Sequence, residues 1–346
     1  MTITEAIKKI VDRIDLTYDE AELVVEQIMT GQCTDAQIAA LLTGLRIKGE
    51  TVAELTGFAR VMRRKAAPVR PQTTLSIGGT EREALIDTCG TGGDVSGTFN
   101  VSTATAFVVA GGGVRVAKHG NRSVSSQCGS ADVVEALGVT IELQTNRIAR
   151  CIDEIGIGFL HAPLLHDAMK YVALVRRQLG IRTIFNMLGP LTNPAGANTQ
   201  VVGVYAPHLT ELLAQVLSEL GSTRALVVHG SDGLDEITIT GESKITELRN
   251  GEVSTYVIAP EDVGLKRASL AEIQGGDARQ NSQIVLEVLG GKPGPKRDIV
   301  LLNAAAAFVA GSRVGDLTGG VALARESIDS GRALNKLKRL IEFTNQ

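Results

Sequence analysis

Tryptophan is absent from this chain, and Phe, Trp and Tyr together make up only 3% of its residues. Proteins that bind single-stranded nucleic acid stack the bases on aromatic side chains, so this scarcity argues against that class of protein. The formal net charge of −3 points the same way, because sequence-independent DNA binding depends on Lys and Arg that neutralise phosphates. We therefore expect no nucleic-acid partner.

Cysteine is also scarce. The four cysteines are widely spaced and form no CxxC pair, so we expect reduced thiols, as in a cytoplasmic protein, rather than disulfides or zinc ligands. No run of about eighteen apolar residues occurs and the N-terminus lacks the apolar core of a signal peptide, so neither membrane insertion nor secretion is expected. No histidine pair has zinc spacing, which leaves a zinc hydrolase unsupported. The protein should be soluble.

The N-terminal part of the chain carries regular helix-start signals. Three S/T-x-x-E/Q boxes begin at Thr17, Thr34 and Thr51, and in such boxes two side chains satisfy each other's free backbone donors. Apolar residues follow each box at helical spacing, and Gly31 and Gly49 stand where helices should end. We predict a helical domain of about four helices over residues 1–70. Its helices carry more apolar stripes than the interior of one bundle needs, which predicts that one face packs on another subunit.

A different pattern follows the prolines near residue 70. Short apolar runs alternate with helix-like stretches; the runs cover residues 85–86, 114–117, 139–143, 158–160, 201–204 and 225–228. This alternation predicts an α/β domain over residues 71–346, with a mostly parallel central sheet covered by helices. We expect a turn-rich excursion over residues 184–198 to return the chain from the helical unit to the sheet.

Two segments rich in glycine and hydroxyl side chains resemble a phosphate site. Residues 90–103 read GTGGDVSGTFNVST and residues 118–126 read KHGNRSVSS. Glycines let the backbone approach an anion closely, and a helix N-terminus favours negative charge. Neither GxGxxG nor GxxxxGK[ST] occurs, so a dinucleotide fold and a P-loop ATPase are not supported. The alternative for each segment alone is an ordinary glycine turn.

An acidic pair, Asp235 and Glu236, follows another predicted strand. All three motifs would then lie beyond the carboxyl ends of parallel strands, where α/β folds bind their ligands. Adjacent carboxylates suit Mg²⁺, although both can serve one site only if the loop after Gly233 turns them together. The alternative is an acidic cap on a turn.

Assembled in order, these segments resemble the anthranilate phosphoribosyltransferase family. The resemblance spans the chain and rests on RIKGET (46–51), GTGGD (90–94), FNVSTA (99–104), VAKHGNRSVSS (116–126), GSADVVEALG (129–138), RRQLGIRTIFNMLGPLTNP (176–194), GLDEI (233–237) and LLNAAAAFVAG (301–311). It implies a helical domain joined by helices from about 168–190, a larger domain of the nucleoside-phosphorylase type, and a homodimer formed through the helical domains. It also implies transfer of the phosphoribosyl group of phosphoribosyl pyrophosphate (PRPP) to anthranilate, a step of tryptophan biosynthesis.

The resemblance carries site residues with it. Residues that match the family's PRPP contacts are Gly90, Gly93, Asp94, Thr98, Asn100, Val101, Ser102, Thr103, Lys118, His119, Gly120, Asn121, Arg122, Ser123, Val124, Ser125, Ser126 and Ser130. Those for anthranilate are Gly90, Asn121, His166 and Arg176, and those for Mg²⁺ are Ser102, Asp235 and Glu236. Lys118, Asp235 and Glu236 are the implied catalytic residues. A guanidinium fork suits the carboxylate of anthranilate, and on a helix only one of Arg176 and Arg177 should face the cleft.

Some features leave the family pattern or stay open. His161, Asp167 and Cys128 depart from it, the first two near the expected acceptor entry. A lone histidine is more often a hydrogen-bonded structural residue, which is the interpretation we favour for His161 and His208. The alternative functions are a nucleoside phosphorylase, which would not need the acidic pair, and a non-catalytic superfamily member that binds nucleic acid, which would lack Arg176.

Overall fold

The computed structural model describes residues 1–72, 83–93, 97–122 and 128–346. The N-terminal helices are α1 (Ile3–Val11), α2 (Tyr18–Met29), α3 (Asp35–Lys48) and α4 (Val52–Lys65). There follow β1 (Leu85–Gly90), α5 (Val101–Gly111), β2 (Arg115–Gly120), α6 (Ser130–Ala136), α7 (Thr145–Arg150) with a π-helical turn at Cys151–Ile155, β3 (Ile157–His161), α8 (Ala162–Leu165), α9 (Lys170–Leu179) and α10 (Phe185–Leu191). The chain continues with β4 (Thr199–Gly203), α11 (Leu209–Glu219), β5 (Arg224–Gly230), β6 (Ser243–Arg249), β7 (Glu252–Ile258), α12 (Ala278–Leu289), α13 (Pro295–Ala310), α14 (Leu317–Asp329) and α15 (Arg332–Thr344).

The predicted capping boxes begin the helices of the N-terminal domain. The hydroxyls of Thr17, Thr34 and Thr51 each accept the backbone N–H three residues on, at 3.3 Å. A further box, Thr2 with Glu5, begins α1 and was not predicted. Gly31 follows α2 with a φ of +73°, in the left-handed region that glycine adopts at little cost. The prediction of about four N-terminal helices is confirmed.

Two later helices pack on this bundle. Helix α9 contacts α2 and α3, and α10 contacts α4. The rings of Phe58 on α4 and Phe185 on α10 meet edge to face, with 6.1 Å between their centroids. Residues of the 184–198 excursion thus share a buried apolar cluster with the N-terminal helices, which provides a route from the helical layer to the sheet. The exact boundary at residues 70–71 stays a prediction.

The larger domain is built on a seven-stranded sheet with the order β3-β2-β1-β4-β5-β6-β7. The pairs from β3 to β5 are parallel, and β6 and β7 join antiparallel. Successive side chains point to opposite faces: Val201 and Val228 pack with α5 and α13, whereas Val202 and Val227 pack with α11. The mostly parallel, helix-covered sheet is therefore confirmed.

One predicted strand is wrong. Residues 139–143 show the expected alternation of burial but pair with no strand among the residues that the structure describes. The backbone N–H of Thr140 donates to the Thr344 hydroxyl at 3.2 Å, and the Asn345 amide donates to the Gly138 carbonyl at 2.8 Å. The C-terminal end of α15 therefore takes the hydrogen bonds that a neighbouring strand would have taken. Within the described ranges, no helix combines the length and the apolar character needed to cross a membrane.

Candidate active site

Two of the three predicted motifs meet directly at the carboxyl edge of the parallel strands. The last residues of β1 and β4, Gly90 and Gly203, lie side by side. Asp235 Oδ2 accepts the Gly92 N–H at 2.8 Å, and Glu236 Oε1 accepts the Ser102 N–H at 3.0 Å. The loop after β1, the N-terminus of α5 and the acidic pair after β5 therefore contact one another directly.

Glycines make this close approach possible. A Cβ atom at Gly90 would overlap the Asp235 carboxylate, and one at Gly203 would overlap the Asp235 main chain. Gly233, with a φ of +90°, turns the chain just before the acidic pair. This turn meets the condition that both carboxylates reach the same region, although they contact different segments there.

The donor set at this point fits magnesium. Asp235, Glu236 and the Ser102 hydroxyl offer oxygen atoms only, and Mg²⁺ is commonly bound by one or two carboxylates together with substrate phosphates and water. In the part of the chain that the structure describes, no three His, Cys, Asp or Glu side chains converge as a complete metal cage. A metal held here would thus need further ligands from a substrate or from water.

Lys118 lies beneath the N-terminus of α5. Its side chain is buried, and its ammonium donates to the Thr88 carbonyl oxygen and, at 3.2 Å, to Ser102 Oγ. The buried Asp87 lies nearby and accepts the His119 N–H at 3.1 Å; burial raises the pKa of its carboxyl, and the Lys118 charge opposes that rise. The ammonium is therefore directed at Ser102 rather than at solvent.

The first turn of α5 offers an anion site. Residues 100–103 form this turn. The Asn100 amide donates to the Cys128 carbonyl at 3.3 Å and accepts from the buried Asn281 amide at 3.0 Å. Thr98 bridges to Gln274. The Thr103 hydroxyl is buried and has no hydrogen-bond partner in the described ranges. The segment 272–281, which no sequence motif singled out, thus holds the start of this turn.

The loop after β2 is less directly engaged. The Arg122 guanidinium pairs with Asp132 at 3.1 Å and Glu135 at 2.8 Å, and these carboxylates raise its pKa. Ser130 donates to the Asn121 carbonyl at 3.4 Å, and a Cβ at Gly120 would overlap the Ser130 hydroxyl. Contact of Arg122 with a phosphate would require it to leave those partners. The predicted residues Asp94, Ser123, Val124, Ser125 and Ser126 lie outside the described residues.

Of the predicted acceptor residues, His166 lies beside His119. The His119 and His166 rings are 5.2 Å apart, and the Nε2 atom of each is buried with no hydrogen bond to a described residue. His119 Nδ1 lies 3.2 Å from the Gly189 carbonyl oxygen, which only accepts, so Nδ1 carries the proton and Nε2 the lone pair. Arg176 is half-buried with its guanidinium 5.6 Å from the Phe185 ring centroid, and burial lowers its pKa. Arg177 is exposed.

Comparison with known proteins identifies the family. The family model described as "Glycosyl transferase family, helical bundle domain" matches residues 4–66. The model described as "Glycosyl transferase family, a/b domain" matches residues 82–334. The anthranilate phosphoribosyltransferase of Moorella thermoacetica is 57% identical over 97% of both chains. The chain belongs to the anthranilate phosphoribosyltransferase family.

Solved structures of this family share the whole fold. The Thermus thermophilus anthranilate phosphoribosyltransferase superposes with a TM-score of 0.92 at 44% identity, covering 99% of both chains. The Saccharomyces cerevisiae enzyme, solved in complex with PRPP and Mg, gives a TM-score of 0.88 at 27% identity over 99% of this chain and 98% of that one. Neither the nucleoside phosphorylase nor the nucleic-acid-binding alternative finds support in these relatives.

Of the two histidines interpreted as hydrogen-bonded structural residues, only one is buried. His208 is exposed. His161 is buried, and neither ring nitrogen has a hydrogen-bond partner among the described residues, so the predicted hydrogen bond is not found there. Sequence reasoning missed Asn193, which donates to Asp87 at 2.8 Å, and Arg182, which contacts the Gly93 carbonyl oxygen. Both lie in the RRQLGIRTIFNMLGPLTNP segment, whose match to the family was the available signal.

The two buried histidines should make stability depend on pH. Burial and the neighbouring His166 ring lower the pKa of His119 to about 3, and burial lowers that of His166 to about 4. The unfolded chain, with histidine pKa values near 6.5, binds more protons between about pH 4 and pH 6.5, so stability falls as pH decreases through that window. We expect each histidine to lower the unfolding free energy by about 1 kcal/mol between pH 7 and pH 5.5.

Urea unfolding at both pH values measures this effect. Between pH 7 and pH 5.5, the unfolding free energy of the doubly substituted His119→Asn, His166→Asn protein should fall by about 2 kcal/mol less than that of the wild type. An identical loss in the two proteins would show that these histidines are not buried in their neutral form.

Proposed function

We propose that this chain transfers the 5-phosphoribosyl group of PRPP to the amine of anthranilate and releases pyrophosphate. The observation that carries the proposal is the meeting of Asp235 and Glu236 with the Gly92 and Ser102 N–H groups at the carboxyl edge of the sheet. That arrangement places two carboxylates, which offer oxygen ligands for a metal, against a glycine loop and a helix N-terminus, where a phosphate can bind. Membership of the family names the acceptor, which the geometry alone would leave open.

In this proposal PRPP, the phosphoribosyl donor, binds against the loop after β1 and the first turn of α5. Backbone N–H groups and the Ser102 hydroxyl face the pyrophosphate, and the buried Lys118 ammonium supports them through Ser102. Asp235, Glu236 and Ser102 would hold Mg²⁺. When bound, this ion would supply positive charge that stabilises the departing pyrophosphate. The dependence of this chain on magnesium is part of the proposal.

In this proposal anthranilate, the acceptor, binds between Arg176 and the pair formed by His119 and His166. In the described part of the chain no carboxylate pairs with Arg176, so a bidentate bond to the carboxylate of anthranilate would satisfy a half-buried charge. The yeast enzyme has also been solved in complex with 4-fluoroanthranilate.

The chemistry requires no covalent intermediate on the protein. The C1–N bond forms as the C1–O bond to pyrophosphate breaks, and the arylamine is uncharged at neutral pH, so no strong base is needed. Holding the amine near C1 and stabilising the leaving group supply the catalysis. Burial raises the pKa of the Cys89 thiol well above its ordinary value, which makes Cys89 a wall residue and not a nucleophile.

A fluorescence assay tests the proposed function. Purified protein mixed with anthranilate, PRPP and Mg²⁺ should consume anthranilate fluorescence, and chelation of the metal should stop the consumption. Unchanged fluorescence in the complete mixture would refute the assignment. A loss of anthranilate fluorescence that persists after chelation would refute the role of the metal but would still support the transfer reaction.

We also propose a homodimer that forms through the helical domain. Val11, Leu23 and Ile47 on the first three helices are 71%, 51% and 67% exposed, and apolar side chains exposed together on one small domain are typical of an interface. The cytoplasmic location stays a prediction.

A further inference from the structure

Arg182 joins the acceptor side of the molecule to the proposed phosphate loop. It lies in the short connection between α9 and α10. Its guanidinium donates to the Gly93 carbonyl oxygen and lies over the Tyr205 ring, 4.2 Å from the centroid. An arginine stacked on an aromatic ring is held in one orientation, because the planar guanidinium gains both packing and electrostatic attraction there.

The chain around Tyr205 also holds the other end of the same loop. The Thr91 N–H donates to the Gly203 carbonyl at 2.9 Å, and the Tyr205 N–H donates to the Thr91 hydroxyl at 3.2 Å. Thr91 is therefore fixed by the end of β4, and Gly93 is fixed by the arginine that rests on Tyr205. Between them, Gly92 is fixed by Asp235.

The loop needs such contacts because its backbone has alternatives. Gly92 and Gly93 have φ values of +68° and +79°, and glycine adopts either sign of φ at similar cost. Peptide groups between such residues can therefore turn easily. A carbonyl oxygen turned toward a pyrophosphate would repel it, whereas an N–H group would bind it. The bond from Arg182 gives the Gly93 carbonyl oxygen a positively charged partner outside the anion site.

We propose that Arg182 is a positioning residue for PRPP: stacked on Tyr205, it keeps the Gly93 carbonyl away from the pyrophosphate and so holds the phosphate loop in its anion-binding form. The inference rests on the proposed function. Arg182 acts through the backbone and needs no contact with either substrate.

Steady-state kinetics on both substrates tests the inference. Arg182→Ala should raise the KM for PRPP about tenfold, the equivalent of one lost charge-assisted hydrogen bond, with the KM for anthranilate within about twofold. Arg182→Lys, which keeps a donor but not the planar stack, should fall between Ala and the wild type. Tyr205→Phe keeps the ring and should match the wild type, whereas Tyr205→Leu should shift the KM for PRPP in the same direction as Arg182→Ala.

Calorimetric titration of pyrophosphate with Mg²⁺ separates the possible failures. If the wild-type protein binds no pyrophosphate, the proposed function itself is refuted. Wild-type binding that Arg182→Ala and Arg182→Lys leave unchanged would overturn the role of Arg182 alone. A change in the KM for anthranilate without one for PRPP would also overturn it, and would place Arg182 with the acceptor. Arg177→Ala, which removes an exposed arginine near the end of α9, is the matched control and should leave both constants unchanged.

Discussion

Replacing Asp235 by Asn together with Glu236 by Gln lowers kcat/KM by about a hundredfold or more, the loss expected when charge-stabilising groups are removed from an active site. Both amides keep the size of the side chains and retain an oxygen that can accept the Gly92 and Ser102 N–H groups. The fold should therefore survive while the negative charge that binds a metal is lost. The anthranilate fluorescence assay at saturating Mg²⁺ measures the effect.

Glu242→Gln is the matched control. Glu242 lies in the same connection between β5 and β6, is exposed, and should lose none of the activity when its charge is removed. Activity of the double variant within a few-fold of the wild type would mean that the acidic pair only caps the loop and helix. A parallel loss in the Glu242→Gln protein would mean that the general charge of the loop, and not a metal site, is responsible.

The second large effect is on the acceptor. Arg176→Ala should raise the KM for anthranilate about a hundredfold, because a bidentate bond between a guanidinium and a carboxylate contributes about 3 kcal/mol. The KM for PRPP should change little. Initial rates with each substrate varied in turn give both constants.

Arg177→Ala shares the helix and the loss of charge, so it controls for both. Arg176 also lies over the Phe185 ring, and thermal unfolding of both variants separates lost packing from lost binding. Equal rises in the KM values for both substrates would remove Arg176 from the acceptor pocket.

Features set by neighbouring residues could be predicted from the sequence. The capping boxes at Thr17, Thr34 and Thr51 involve residues three apart, so the local sequence is enough to predict their hydrogen bonds. The alternation of short apolar runs and helices determines a parallel sheet, and the sheet determines the edge at which Gly90 and Asp235 meet. The choice between Arg176 and Arg177 needed the family resemblance, since both lie on one helix.

Contacts between distant segments could not be predicted in this way. Residues 139–143 have a strand-like pattern, but the side chains of Thr344 and Asn345 compete for their hydrogen bonds. The stacking of Arg182 on Tyr205 joins two loops that carry no common motif. The Lys118 ammonium reaches Ser102 only because β1 and β2 are neighbours in the sheet. Each depends on the packed structure and not on spacing along the chain.

Isothermal titration of the protein with PRPP, in buffer with Mg²⁺ and in buffer with a chelator, tests the central claim most directly. We expect saturable binding of one PRPP per chain with Mg²⁺, and binding at least about tenfold weaker without it, the equivalent of about 1.4 kcal/mol. No heat of binding in the presence of the metal, or equal affinity in the two buffers, would contradict the assignment of this edge of the sheet as a metal-assisted pyrophosphate site.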